Sequence, residues 1–122
     1  MVTILEQITR ATVHTSRGLA AATRTEMAFR LEIAALVLAV PLAFLFAAEA
    51  WKRLALIAVV MLVLIVELLN TAIEKLSDHV TPTNHPAIGR VKDMGSAAVG
   101  LTILLAGATW LLAVGQWLVA LW

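Results

Sequence analysis

Cysteine is absent from this 122-residue chain, which excludes disulfides and thiolate metal sites. Charge is sparse: 14% of the residues are Asp, Glu, Lys or Arg, and a formal net charge of +1 gives no basis for binding nucleic acid. Neither a P-loop nor a kinase-type glycine loop occurs, so a nucleotide would have to be held by other means. The first thirty residues interleave polar and apolar positions and carry Arg10, Arg17, Arg24 and Arg30, without a compact apolar run or a small-residue cleavage site. No signal peptide is expected. What abounds is apolar surface. With 61% hydrophobic residues and a mean hydropathy of +0.94, the chain has more of it than a soluble domain of this size could bury. The expected fold class is an all-α integral-membrane protein, with residues 1–122 forming one domain.

Residues 1–25 read as a surface helix with Leu5, Ile8, Ala11, Leu19 and Ala22 interleaved among polar positions, and Gly18 is a point where it can break. Arg10, Arg17 and Arg24 recur every seven residues, so a continuous helix places them on one slowly drifting face. That face is either simply solvated or meets lipid phosphates or a nucleotide. The first span, about 28–48, contains the charge-free run Ile33–Ala48, in which Pro41 is expected to produce a kink. Glu26 and Arg30, four residues apart, have the spacing of an ordinary helical ion pair. Glu49 to Arg53 form a short turn, and the second span covers about 54–76. Val80 to Arg90, with two prolines and a glycine, reads as the one long loop. The third span covers about 94–120. Trp51, Trp110, Trp117 and Trp122 read as interfacial anchors or lipid-facing bulk.

The second span ends in a polar stripe. At about 100° per residue, Glu67, Asn70, Thr71, Glu74 and Asp78 share one face in an arc of roughly 100°. Leu54 to Val66 behind them is uncharged and apolar all round, so Glu67 sits within the bilayer or at its edge. Ionisable groups there are costly and are mostly retained for function. On the third span Ser96, Gly100, Ile103 and Gly107 share a face whose small residues permit close helix contact.

Seven cations, Arg10, Arg17, Arg24, Arg30, Lys75, Arg90 and Lys92, lie in the N-terminal segment and around the long loop, against only Lys52 and Arg53 on the other side. The N-terminus and the second loop are therefore expected to be cytoplasmic. This places Glu26, Glu74, Asp78, Lys92 and Asp93 at one membrane face, with Glu67 about 10 Å deeper than Glu74. Paired carboxylates at a water boundary can hold a divalent cation, and a third, partly buried, can accept a proton. With Lys92 and the arginines added, the parts suit phosphoryl transfer.

Glu67-Leu-Leu-Asn70-Thr-Ala-Ile-Glu74 with Asp78, then His85 and Gly89-Arg-Val-Lys92-Asp93-Met94-Gly95-Ser96-Ala97-Ala98-Val99, resembles the small prokaryotic diacylglycerol kinase family. Arg17-Gly18-Leu19 and Glu26-Met-Ala-Phe29-Arg30-Leu-Glu32 extend the resemblance over nearly the whole chain. It implies three transmembrane helices preceded by an amphipathic surface helix, assembled as a homotrimer in the bacterial inner membrane. It also implies magnesium, ATP as phosphoryl donor and diacylglycerol as acceptor.

By the same resemblance Glu67 is the general base, and Glu26 and Glu74 hold the metal. His14, Glu26, Glu74, Asn84, His85, Lys92 and Asp93 contact the nucleotide, and Asn70 and Asp78 support the site. Arg30, Ser96 and Trp110 lie toward the lipid substrate. The N-terminal segment departs from the family pattern, with Gln7 where a basic residue is expected and His14 where an aromatic is expected; Arg10 is the available substitute. Two alternatives stand. Undecaprenol kinases of the same superfamily share the acidic motif and a loop like Thr81-Pro82-Thr83-Asn84-His85-Pro86, whereas Lys92 to Ala98 and the Phe29-Arg30 region resemble the diacylglycerol branch. Outside enzymes, the rival is a small channel or transporter subunit in which Glu67 relays ions.

Overall fold

Thr3 begins the first helix with a capping box: its hydroxyl accepts from the Glu6 amide while the Glu6 carboxylate accepts from the Thr3 amide. A computed structural model describes residues 1–122 as four helices. They are α1 (Ile4–Thr25), α2 (Met27–Phe46), α3 (Ala50–Val80) and α4 (Pro86–Ala120). The last three are long and apolar enough to cross a membrane. α1 runs unbroken through Gly18. The break comes at Glu26, whose extended backbone (φ −116°, ψ 111°) closes α1 and opens α2. α2 likewise continues through Pro41 as one helix.

The long loop expected at 80–90 is a correction. Only Thr81 to His85 separate α3 from α4, and Pro86 is not loop punctuation but the start of a helix. Proline suits a first turn, because the amide it lacks has no helical partner there and its fixed φ is already helical. His85 is the N-cap, its Nδ1 accepting from the Ala87 amide at 3.1 Å. Gly89 and Arg90 therefore lie within α4, which starts before the expected third span, just as α3 outruns the second.

α3 is the central element and packs against both α2 and α4, while α1 rests lightly on the start of α2. Two small apolar clusters hold the bundle. Ala43, Ala47, Leu56 and Ala113 form one, with Ile57 and Trp110 against it, and Ala22, Phe29 and Leu64 form the other. Alanine dominates the first because small side chains let apolar helices approach closely. Two of the tryptophans are half-buried and also make contacts within the bundle. Trp110 Nε1 donates to the Leu56 carbonyl at 3.0 Å, and Trp117 meets Phe46 edge to face with centroids 5.0 Å apart. Only 13 of the 122 residues are buried, so most of the large apolar side chains are left for lipid or for other copies of the chain.

Candidate active site

The polar stripe of α3 turns inward. Asn70 and Thr71 are buried, Glu67 and Glu74 half-buried, and Asp78 exposed. At Asn70 the approach of α4 is close enough to require glycine: a Cβ at Gly95 would overlap Asn70 Oδ1. The amide nitrogen of Asn70 donates to Glu74 Oε1 at 3.4 Å, while Oδ1 is buried without a hydrogen-bond partner. Asn70 is thus clamped between α4 and the carboxylate one turn along its own helix.

Four carboxylates gather around this point. Glu67 lies within electrostatic reach of both Glu74 and Glu26, and Glu32 within reach of Glu67. Glu26 reaches the group from the joint between α1 and α2, and its partner corrects an expectation. It pairs not with Arg30 but with Lys75, whose Nζ lies 3.6 Å from Glu26 Oε1 and 3.2 Å from Thr25 Oγ1. The break at Glu26 explains this, since Arg30 now sits beyond the end of α1. Its guanidinium donates to the carbonyls of Thr23 and Arg24 at 3.1 and 3.2 Å, where a cation complements the helix C-terminus.

Two cavities bear on this arrangement, and Glu26, Glu67 and Glu74 line neither. Asn84, His85 and Lys92 line a polar one of about 360 Å³ with Thr83, Pro86, Ile88 and Gly89. Lys92 Nζ also donates to Asp78 Oδ1, which ties the start of α4 to the end of α3. The other is an apolar cleft of about 470 Å³ between α2, α3 and α4. Glu32 is its acidic member, and Ile103, Gly107 and Trp110 line it from α4.

The structure therefore brings Asn84, His85 and Lys92 together, and Glu26, Glu67, Asn70 and Glu74 into a second group. Asp93 and Ser96 are exposed on α4 and line neither cavity, and His14 is exposed on α1. Two residues lay outside the sequence-based site, Glu32 and Lys75. For Glu32 the sequence offers two signals, its place at the end of the Glu26-to-Glu32 stretch and its being a lone acid heading the apolar run from Ile33. Lys75 gave none, because its partner is 49 positions away.

Comparison with known proteins bears on this arrangement. Residues 13–114 match the family described as "Prokaryotic diacylglycerol kinase". The chain is 46% identical over 104 residues to a diacylglycerol kinase of Escherichia coli (strain K12), covering 85% of each chain. It is 43% identical over 106 residues to one of Pseudomonas aeruginosa, covering 87% of this chain and 86% of that protein. A third, from Haemophilus influenzae, is 33% identical over 106 residues, covering 87% and 90%. The family match over residues 13–114 spans the acidic stripe of α3 and the α4 segment that packs on it, and the chain belongs to the prokaryotic diacylglycerol kinase family.

Proposed function

We propose that this protein is a lipid kinase of the bacterial inner membrane that transfers the γ-phosphoryl group of ATP to the hydroxyl of 1,2-diacylglycerol, giving phosphatidic acid. The observation that carries the reading is the position of Glu67. It stands on a membrane-crossing helix within electrostatic reach of Glu26, Glu74 and Glu32, and Glu32 is the acid at the rim of the apolar cleft between the spans. A lipid whose acyl chains stay in the bilayer presents its headgroup hydroxyl at that depth, and a nucleotide approaches from water.

Glu67 accepts the hydroxyl proton as the alcohol oxygen attacks the γ-phosphorus. The bond from that phosphorus to the β-phosphate oxygen breaks, and ADP leaves. Glu26 and Glu74 are the proposed carboxylates for a divalent cation. Two hard oxygen donors suit magnesium, which does not require a full set of protein ligands, and the structure has no group of three or more. A magnesium ion held by Glu26 and Glu74 would neutralise charge on the phosphate oxygens. Asn70 steadies Glu74, and Asp78 orients Lys92. Lys92, Asp93, Asn84, His85 and His14 are the proposed nucleotide contacts, and Arg30, Ser96 and Trp110 the lipid-side residues.

The N-terminus and the second loop face the cytoplasm on the distribution of cations. α1 lies on the membrane surface as an amphipathic helix, its exposed Leu5, Ile8, Val13 and Leu19 facing lipid. The 122 residues form one domain, and three copies assemble with shared sites. Gly100 supports assembly, since a Cβ there would meet nothing within 4 Å in this chain, whereas Gly107 lines the apolar cleft.

The test is a comparison of acceptors. Purified protein with ATP labelled in the γ-phosphate and magnesium is given diacylglycerol or undecaprenol in the same detergent. Label is expected in phosphatidic acid. Preferential labelling of undecaprenol would move the assignment to that alcohol, and no transfer to any lipid would reject the kinase reading.

A further inference from the structure

Glu26 is an unusual place for a carboxylate that must hold a fixed position. It occupies the single extended residue between two helices, and its side chain caps neither of them. Its rotamer is therefore not set by packing along a helix. α1, whose end it forms, rests only lightly on the rest of the fold. Glu74, by contrast, is held on the central helix by Asn70.

One cation spans this weak point. Lys75 follows Glu74 directly on α3, and its Nζ reaches both the hydroxyl of Thr25, the last residue of α1, and the carboxylate of Glu26. Thr25 Oγ1 is itself anchored, donating to the Ala21 carbonyl at 2.8 Å. The chain of contacts thus runs from the last turn of α1 through Lys75 to α3, across 50 positions of sequence. We infer that Lys75 is a positioning residue that tethers the α1–α2 joint to α3 and so fixes Glu26 opposite Glu74. The inference rests on the reading of Glu26 and Glu74 as the metal carboxylates.

Stability is not the consequence. The Lys75 and Glu26 side chains are 55% and 32% exposed, and ion pairs this wet add little to folding. The consequence is geometric. Two carboxylates bind one hard cation only when both are presented together, and groups that orient metal ligands commonly change affinity by an order of magnitude or more. The opposite effect is also physically open, since an ammonium beside Glu26 competes with a metal for the same oxygens. The sign of the change separates the two.

The experiment measures Mn²⁺ binding to the purified protein with a non-hydrolysable ATP analogue, from the loss of the free-ion electron paramagnetic resonance signal. Lys75→Met keeps the stem and removes the charge; its dissociation constant for Mn²⁺ is expected to rise about tenfold, with Lys75→Arg within about twofold of the parent. Melting temperature is expected to be unchanged in both. Thr25→Val, which removes the other anchor, is expected to weaken binding in the same direction. Unchanged or tighter binding in Lys75→Met, or an arginine variant as weak as the methionine one, would overturn the tether. Glu26→Gln and Glu74→Gln serve as references. If they weaken binding and Lys75→Met does not, only the tether fails; if they leave binding intact, the metal reading fails and takes the tether with it.

Discussion

Asn70 is held from two sides, and each side can be tested alone. Gly95→Ala adds a methyl group where Asn70 Oδ1 already sits. Either α4 moves off α3 or Asn70 swings away from Glu74, and overpacking of this kind costs about 1 to 3 kcal/mol. The expected result is a lower melting temperature together with weaker magnesium-nucleotide binding, measured on one preparation. Glu74→Gln acts on the other side. The amide still accepts a hydrogen bond from Asn70 but lacks the charge a hard cation requires. Stability is therefore expected to stay near that of the parent while the magnesium concentration for half-maximal activity rises.

Among the elements, the three apolar helices were legible because long uncharged runs leave no other use for the residues. The polar stripe was legible too, since helical periodicity alone puts Glu67, Asn70 and Glu74 on one face. The joints were not. Glu26 breaks the chain without glycine, proline or a side-chain cap, and its spacing to Arg30 imitates an intrahelical pair. Only tertiary contacts, Lys75 to Glu26 and Arg30 to the carbonyls of α1, show what each charge does. The start of α4 differs from the loop expected there for a local reason, because Pro86 suits a first turn as well as a loop. His85 consequently has two candidate roles, N-cap and nucleotide contact. Asparagine is among the best N-caps, so His85→Asn is expected to keep the melting temperature while raising the KM for ATP. An unchanged KM would leave His85 as a cap alone.

For the whole molecule, the sparse burial is the decisive feature. One copy leaves Leu101, Leu104 and Leu111 of α4 exposed along with most other large apolar side chains. Lipid can cover that surface, but three spans cannot by themselves enclose a group of carboxylates. A homotrimer is expected, with residues of one site drawn from more than one copy. Mixing Glu67→Gln protein with Glu26→Gln protein, dissociating and reassembling them, should restore part of the activity that neither has alone. A fully active monomer in mild detergent, detected by mass measurement, would rule shared sites out.

The most direct test combines turnover with binding in a single variant. Glu67→Gln preserves size and hydrogen-bonding capacity but cannot take the proton of an alcohol. At saturating ATP, magnesium and diacylglycerol its kcat for phosphatidic acid is expected to fall by roughly 10² or more, with nucleotide affinity and melting temperature retained. Near-normal kcat in the folded variant would contradict the role of Glu67 as the base.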